Sequence, residues 1–294
     1  MERGASDADD RPDALPASAP FRTCKYLSIG GGGVYGFAFI GLLRALEKER
    51  GRPFHVDVQG CAGTSVGAMI AAGVVLGGDF ERLEQLMRRK SWDGFAMSTV
   101  GLFESRGLSD HTFLSDMLTH MIEELGFSAA LTMADAHRIT RKDLYICATD
   151  LAHDRQVVFH HAAHPDVRLI DALIASCCIP IVFQPKTIGD MVLVDGYLCE
   201  NLMLHQFPLS DTFVLRQERK TDLGTLKDYL RAVISCSSVI SEERQLQQLE
   251  HAERQRIVTI PEHRYIVGSD LGALNTHMVS TLIAHGYLFA VRTL

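Results

Sequence analysis

Residues 24–49 read CKYLSIGGGGVYGFAFIGLLRALEKE. A short apolar run at 24–29 stops abruptly at four glycines, and from 34 to 49 apolar residues recur at helical spacing before a charged last turn. The order is strand, glycine loop, helix. The unit then repeats: 54–58 reads as a second short strand, 60–63 as a turn, and 66–76 as a helix of small residues able to pack closely on a sheet.

Further along, 144–148 and 157–160 read as strands flanking a polar turn at 153–156, and 191–194 as a strand closing on Asp195. Helical segments fall near 80–89, 111–125, 171–176, 226–240 and 276–292. Alternation of this kind argues for a layered α/β domain with a largely parallel central sheet. The 294 residues, 47% of them hydrophobic, suffice for one large core. Residues 1–22 are rich in Ala, Asp, Pro and Ser without the apolar centre of a signal peptide, so they are expected to be a disordered leader to a domain spanning 23–294.

The formal net charge of −7 gives no general attraction to nucleic acid or anionic lipid, and the basic runs at 88–90 and 216–220 are expected to be solvated faces. Seven cysteines without Cys-x-x-Cys pairs suggest neither a disulfide framework nor a zinc site, which fits a reducing, cytoplasmic compartment. The most apolar later stretch, 62–77, is shorter than the roughly 20 residues that span a bilayer. Any membrane contact is expected to be peripheral.

Three constellations carry chemistry. Gly63-Thr64-Ser65-Val66-Gly67 fits G-x-S-x-G between a predicted strand and a predicted helix. There a nucleophilic serine sits on a strained turn, where bulk at Gly63 or Gly67 would clash. Gly30 to Gly36 ends the first strand with consecutive glycines whose N–H groups can face an anion, as an oxyanion hole or as a phosphate cradle. The same residues satisfy G-x-G-x-x-G from Gly31 to Gly36, with Asp57 about 20 residues on, so a dinucleotide-binding oxidoreductase stays open here. Asp195, before Gly196, stands at the carboxyl end of an apolar strand, where active-site residues of open α/β sheets gather.

Together these sites, in this order, resemble the patatin-like phospholipases. Linking segments extend the similarity: Gly101-Leu102-Phe103 with Gly107-Leu108, Ala148-Thr149-Asp150-Leu151, and Ala175-Ser176-Cys177-Cys178-Ile179-Pro180 followed by Phe183 and Pro185. The resemblance implies a three-layer α/β/α fold and a Ser-Asp dyad that cleaves fatty acyl esters of glycerolipids without cofactor or metal. Ser65 would be the nucleophile, Asp195 its base, and Gly31, Gly32 and Gly33 the oxyanion donors. A phospholipid or another acyl ester, a membrane surface and an unidentified activating protein are the partners it suggests. Tyr35 stands where the family usually has Arg or Lys, and Tyr197 where it usually has Gly or Ala after Asp-Gly. These departures keep open a patatin-fold protein that turns over slowly and acts through interactions.

Several residues have a simpler role. His205, His251, His263, His277 and His285 follow the acid, but a dyad needs none of them. His160, His161 and His164 have no carboxylate or thiol at matching sequence spacing and read as a solvated loop. Cys61, Cys177 and Cys178 read as packing residues. Trp92, Phe95, Met97, Val100, Leu102 and Phe103 could wall an acyl channel or fill the core. Asp150 is the rival acid.

Overall fold

A computed structural model describes residues 19–89, 102, 104–218, 223–263 and 274–293. In chain order the elements used below are β1 (Tyr26–Ile29), α1 (Gly36–Arg50), β2 (Gly60–Thr64), α2 (Val66–Val75), α3 (Phe80–Arg89), β3 (Gly107–Ser109), α4 (Thr112–Glu124), α5 (Met133–Thr140) and β4 (Asp143–Asp150). Next come β5 (Arg155–Phe159), α6 (Leu169–Cys177), β6 (Ile181–Phe183), β7 (Lys186–Ile188), β8 (Met191–Asp195), β9 (Thr212–Gln217), α7 (Leu226–Gln248), β10 (Ile257–Ile260) and α8 (Thr276–Thr293).

The central sheet runs β10-β9-β1-β2-β4-β8-β7, with β5 also paired to β4. It is mixed. From β10 through β4 every neighbour is parallel, whereas β8 and β5 both run antiparallel to β4, and β7 antiparallel to β8. The largely parallel sheet expected from the alternation is therefore correct for one side of the fold only. On the other side hairpin connections replace crossover helices, and short strands such as Lys186–Ile188 can pair antiparallel through a tight turn at Gly189, whose φ is 62°.

The interior strands are sealed on both faces. Leu27, Ile29, Cys61, Ala62, Ile146, Cys147, Ala148, Leu193, Val214 and Leu215 are at most 1% exposed, as expected for a sheet flanked by helices. α1 and α8 pack together on one side, with Phe37, Leu42, Leu43 and Leu46 sharing a single core with Leu282 and Ile283. A helical turn at Pro20–Thr23 places Phe21 in that core, edge-on to Phe213 at 6.3 Å.

The second strand is not where the sequence pattern puts it. Residues 54–57 form a helical turn, Phe54–Asp57, and the strand is Gly60–Thr64, the stretch expected to be a turn. Gly60, Cys61, Ala62 and Gly63 have low intrinsic strand preference, but the central position between β1 and β4 excludes larger side chains. A Cβ at Gly60 would lie 2.9 Å from the Asp143 carbonyl oxygen. Tertiary packing overrides propensity here.

Candidate active site

The loop between β2 and α2 is built by two close approaches. A Cβ on Gly63 would fall 2.5 Å from the Gly67 carbonyl, and one on Gly67 only 2.1 Å from the Ile29 carbonyl oxygen. With both positions reduced to hydrogen, the chain turns from strand to helix in one residue. That residue is Ser65, at φ 57° and ψ −130°, a conformation that non-glycine residues rarely adopt and that costs of order 1–3 kcal/mol. The surroundings hold it there: the Ser65 N–H donates to Ser176 Oγ on α6 at 2.9 Å, and its carbonyl accepts the Ala68 N–H at 2.9 Å.

Asp195 is the last residue of β8, paired in register with Ala148 of β4. This crossing of the sheet brings it to Ser65, and Ser65 Oγ donates to Asp195 Oδ2 at 2.6 Å. The other carboxylate oxygen accepts the Tyr197 N–H at 2.9 Å. Ser65 is 5% and Asp195 2% exposed. Burial pushes the Asp195 pKa up to about 7, against the hydrogen bonds from Ser65 and Tyr197 that favour the carboxylate. A carboxyl group poised near neutrality, in contact with a hydroxyl, can act as a general base at physiological pH.

The glycine loop faces this pair. A Cβ at Gly31 would lie 3.2 Å from Ser65 Cβ and 3.3 Å from Tyr197 Cδ2, so the loop lies directly against Ser65. The Gly31 N–H is engaged, donating to Asn201 Oδ1 at 2.7 Å. Asn201 in turn donates from Nδ2 to Glu242 Oε2 on α7, and Glu242 is paired with Arg216 at 3.0 Å. Gly32 and Gly33 follow at the start of a 3₁₀ turn, Gly33–Tyr35, that runs into α1. Val66 opens α2 directly after Ser65, so the positive end of that helix lies beside the hydroxyl.

Ser65 also forms part of the wall of a cavity of about 90 Å³ whose surface is almost wholly apolar. Phe37 of α1, Val66 and Met69 of α2, Phe113 and Met117 of α4, and Phe183 of β6 are among its lining residues. Such a wall offers a polar group no compensating partner and suits hydrocarbon. The α4 contribution is not legible in the sequence. Of the channel residues expected there, Trp92, Phe95, Met97, Val100 and Phe103 lie outside the described residues, and Leu102 is half-buried.

Asp150, the rival acid, is fully buried but committed elsewhere. It accepts from His153 Nδ1 at 2.7 Å, from the Ala152 and Val192 N–H groups at 3.1 and 3.2 Å, and from Arg155 at 3.3 Å. Burial alone would raise its pKa, but these donors outweigh it and hold the carboxyl below its usual range. It pins the β4–β5 turn. Asp57, which the dinucleotide reading requires at a strand end, closes the helical turn at Phe54–Asp57 and pairs with Arg50 and Arg52, both at 2.7 Å. Among the described residues no histidine hydrogen-bonds Ser65 or Asp195; His251 meets Gln255 and His285 the Pro261 carbonyl. Cys61, Cys177 and Cys178 are buried, and burial raises each thiol, Cys178 to about 12.

The basic runs are partly neutralised. Arg88 meets Glu84 at 2.7 Å, and Arg216 meets Glu242 and Glu243, each at 3.0 Å. Among the described residues no helix is long and apolar enough to cross a membrane.

Comparison with known proteins identifies similar chains. The chain is 29% identical over 188 residues to a cUMP-AMP-activated phospholipase of Escherichia coli, covering 60% of this chain and 56% of that protein. It is 28% identical over 192 residues to a cGAMP-activated phospholipase of Escherichia coli strain TW11681, covering 60% and 52%. The chain thus spans little more than half the length of these relatives. In fold it is similar to VipD from Legionella pneumophila, with a TM-score of 0.52 and 14% identity over 92% of this chain and 66% of that one. The patatin-like phospholipase model matches residues 27–208, from β1 through the glycine loop, Ser65 and Asp195 to the segment after Asn201. With that match over more than half its length, the chain belongs to the patatin-like phospholipase family.

Proposed function

We propose that this protein is a carboxylic ester hydrolase that cleaves fatty acyl esters of glycerolipids through a Ser65-Asp195 dyad. The observation that carries the reading is the 2.6 Å contact between Ser65 Oγ and Asp195 Oδ2 beside an apolar cavity. Ser65 Oγ attacks the ester carbonyl as its proton passes to the Asp195 carboxylate. The oxyanion that forms meets the N–H groups of Gly32 and Gly33, while Gly31, tied to Asn201, braces the loop. Collapse of the tetrahedral intermediate breaks the bond to the leaving alkoxide, which takes the proton from Asp195. Asp195 then deprotonates a water that attacks the acyl-Ser65 ester, and as the bond to Oγ breaks Asp195 returns the proton to Oγ and the fatty acid leaves.

Tyr197 fits this scheme. Its backbone N–H orients the carboxylate, and its ring packs beside Gly31, so a bulky residue after Asp195-Gly196 leaves the dyad contact in place. Leu226, Tyr229, Val233 and Ile240, exposed along α7, suit peripheral contact with the lipid surface that holds the substrate. The names of the two bacterial relatives supply one more element of the proposal, dependence of turnover on a cyclic dinucleotide activator.

The test is hydrolysis of a short-chain ester and of phospholipid vesicles by wild type, Ser65→Ala and Asp195→Asn, each with and without cUMP-AMP or cGAMP, with folding checked by circular dichroism. Loss of hydrolysis in both folded variants supports the dyad. A folded wild type inert under every condition favours the slow, interaction-based alternative.

A further inference from the structure

Two thiols meet beside the strand end that carries Asp195. Cys147 lies on β4, one residue before Ala148, the strand partner of Asp195, and in register with Thr64, the residue before Ser65. Cys199 follows the short 3₁₀ turn Gly196–Leu198 that continues from Asp195. A Cβ at Gly196 would lie 2.3 Å from the Cys147 carbonyl oxygen, so glycine lets that turn press against β4. The two sulfurs stand 3.8 Å apart.

The thiols differ in their surroundings. Cys147 is fully buried, and Gln156 Nε2 donates to its sulfur at 3.5 Å. Cys199 is half-buried and reachable from solvent. As a thiol it has the Gly196 and Ala148 carbonyls to donate to, at 3.3 and 3.7 Å. As a thiolate it has donors: the Cys147 S–H, and the Thr149 hydroxyl at 3.1 Å. The hydrogen bond from Cys147, helped by that from Thr149, holds the Cys199 thiol below its usual range against the effect of burial. A half-buried sulfur with donors aimed at it, backed by a second thiol in contact, is the arrangement of a reactive cysteine beside its resolving partner.

We propose that Cys199 and Cys147 form a dithiol site that hydrogen peroxide oxidises to a disulfide. The Cys199 thiolate attacks one peroxide oxygen, the O–O bond breaks, and Cys199 sulfenic acid and hydroxide are formed. The hydroxide takes up the proton that Cys199 gave on ionising. The Cys147 sulfur then attacks the Cys199 sulfur, the S–O bond breaks, and the departing hydroxide leaves as water with the Cys147 proton. The two thiols are oxidised, and the peroxide is reduced to two waters.

Bond formation draws the sulfurs from 3.8 Å to about 2.05 Å. The turn Gly196–Leu198 lies between Asp195 and Cys199 and supplies the Tyr197 N–H that orients the Asp195 carboxylate at 2.9 Å. Thr149 Oγ1 touches both ends of that turn, lying 3.0 Å from the Asp195 carbonyl oxygen as well as beside Cys199. Closing the disulfide therefore pulls on the segment that holds the acid, and the oxidised protein turns over ester more slowly, a consequence that rests on the hydrolase reading. In reducing surroundings such a bond is transient, which suits a sensor of oxidant and not a structural staple.

The test treats the reduced full chain with a small excess of hydrogen peroxide, alkylates the remaining thiols under denaturing conditions and maps the cross-links by peptide mass spectrometry, with short-chain ester hydrolysis followed in parallel. Wild type is expected to show a bond between Cys147 and Cys199, a free-thiol count lower by two, and hydrolysis slowed about 10- to 100-fold until dithiothreitol restores it. Cys199→Ser and Cys147→Ala should form no such bond and show no peroxide-dependent loss of rate. Cys199→Ser, at the half-buried position, keeps the test open if Cys147→Ala does not fold. Cys236→Ser, which removes an exposed thiol on α7, should behave as wild type. Both thiols still reduced after peroxide, or oxidation that stops at Cys199 without a cross-link, would overturn the proposal whether or not the chain hydrolyses esters. A cross-linked wild type with unchanged hydrolysis would overturn the regulatory role. A chain inert before oxidation counts against the hydrolase reading, and the peptide map still decides the dithiol.

Discussion

Asn201 accepts the Gly31 N–H at 2.7 Å, which makes a residue six positions after Asp195 the brace of the glycine loop. The brace continues outward through Glu242, buried on α7, which lies beyond the residues matched to the family. Gln245 of the same helix donates to Glu200 at 2.8 Å, and the Glu200 carbonyl accepts the Thr64 hydroxyl at 3.0 Å. Helix α7 is thereby joined by hydrogen bonds to residues on both sides of Ser65.

Asn201→Ala should therefore lower kcat by about 10- to 100-fold, less than the roughly 100- to 1000-fold lost when an oxyanion donor is removed outright, with little change in KM. Glu242→Gln keeps a hydrogen-bonding group opposite Asn201 and should lose much less than Glu242→Ala. Steady-state kinetics on a short-chain ester checks the order; equal losses in the two Glu242 variants would speak against the brace.

Gly31→Ala and Gly67→Ala should fail in different ways. At Gly31 the added methyl meets the side chains of Ser65 and Tyr197 at 3.2–3.3 Å, so the fold survives and the nucleophile shifts by a few tenths of an ångström. At Gly67 it meets backbone at 2.1 Å, and no side-chain rotation relieves that. Circular dichroism and esterase assays together should find Gly31→Ala folded and slow, and Gly67→Ala unfolded or strongly destabilised, by more than about 4 kcal/mol.

The raised pKa of Asp195 predicts a pH profile. As a base the group works ionised, so kcat/KM should rise with pH through about 7 and level off above it. Stability runs the other way. A carboxyl whose folded pKa lies above its unfolded value of 3.8 favours the fold while protonated, and that contribution is lost as pH rises through about 7. Asp195→Asn should thus be inactive yet more stable than wild type at pH 8, by an amount on the order of a few kcal/mol. Thermal unfolding at pH 5 and pH 8 measures it, and the gap between variant and wild type should widen at the higher pH.

Glu47 is not legible in sequence as a structural residue, since a glutamate near the charged end of an amphipathic helix ordinarily faces water. It is 8% exposed, accepts the Phe54 N–H at 2.7 Å and the Phe80 N–H at 2.8 Å, and has its pKa pushed up to about 7 by burial. Glu47→Ala leaves two buried donors unpaired and should cost about 2–6 kcal/mol in chemical denaturation, at about 1–3 kcal/mol for each.

The features readable from sequence are those that chemistry constrains locally. Ser65 and Asp195 are marked by their small neighbours and strand-end positions, and the structure brings them together across 130 positions. The strand at Gly60–Thr64 escapes such a reading because its identity lies in the space that β1, β4 and α2 leave it and not in its side chains. β9 is obscured by the basic run that begins at Arg216, a residue whose charge is spent on Glu242 and Glu243. Asn201 and Glu242 are separated by 41 positions with no periodic signal joining them. The histidines at 160–164 stand out in sequence, but the carboxylate near them, Asp143, comes from the other side of a hairpin and is found only in space.

Whether Ser65 is a nucleophile activated by Asp195 can be decided by treating the folded chain with a fluorophosphonate and locating the adduct by peptide mass spectrometry. One adduct on Ser65 is expected in wild type and none in Ser65→Ala, with labelling slowed at least roughly tenfold in Asp195→Asn. An adduct on another residue, or Ser65 labelled as fast without Asp195 as with it, would rule the dyad out.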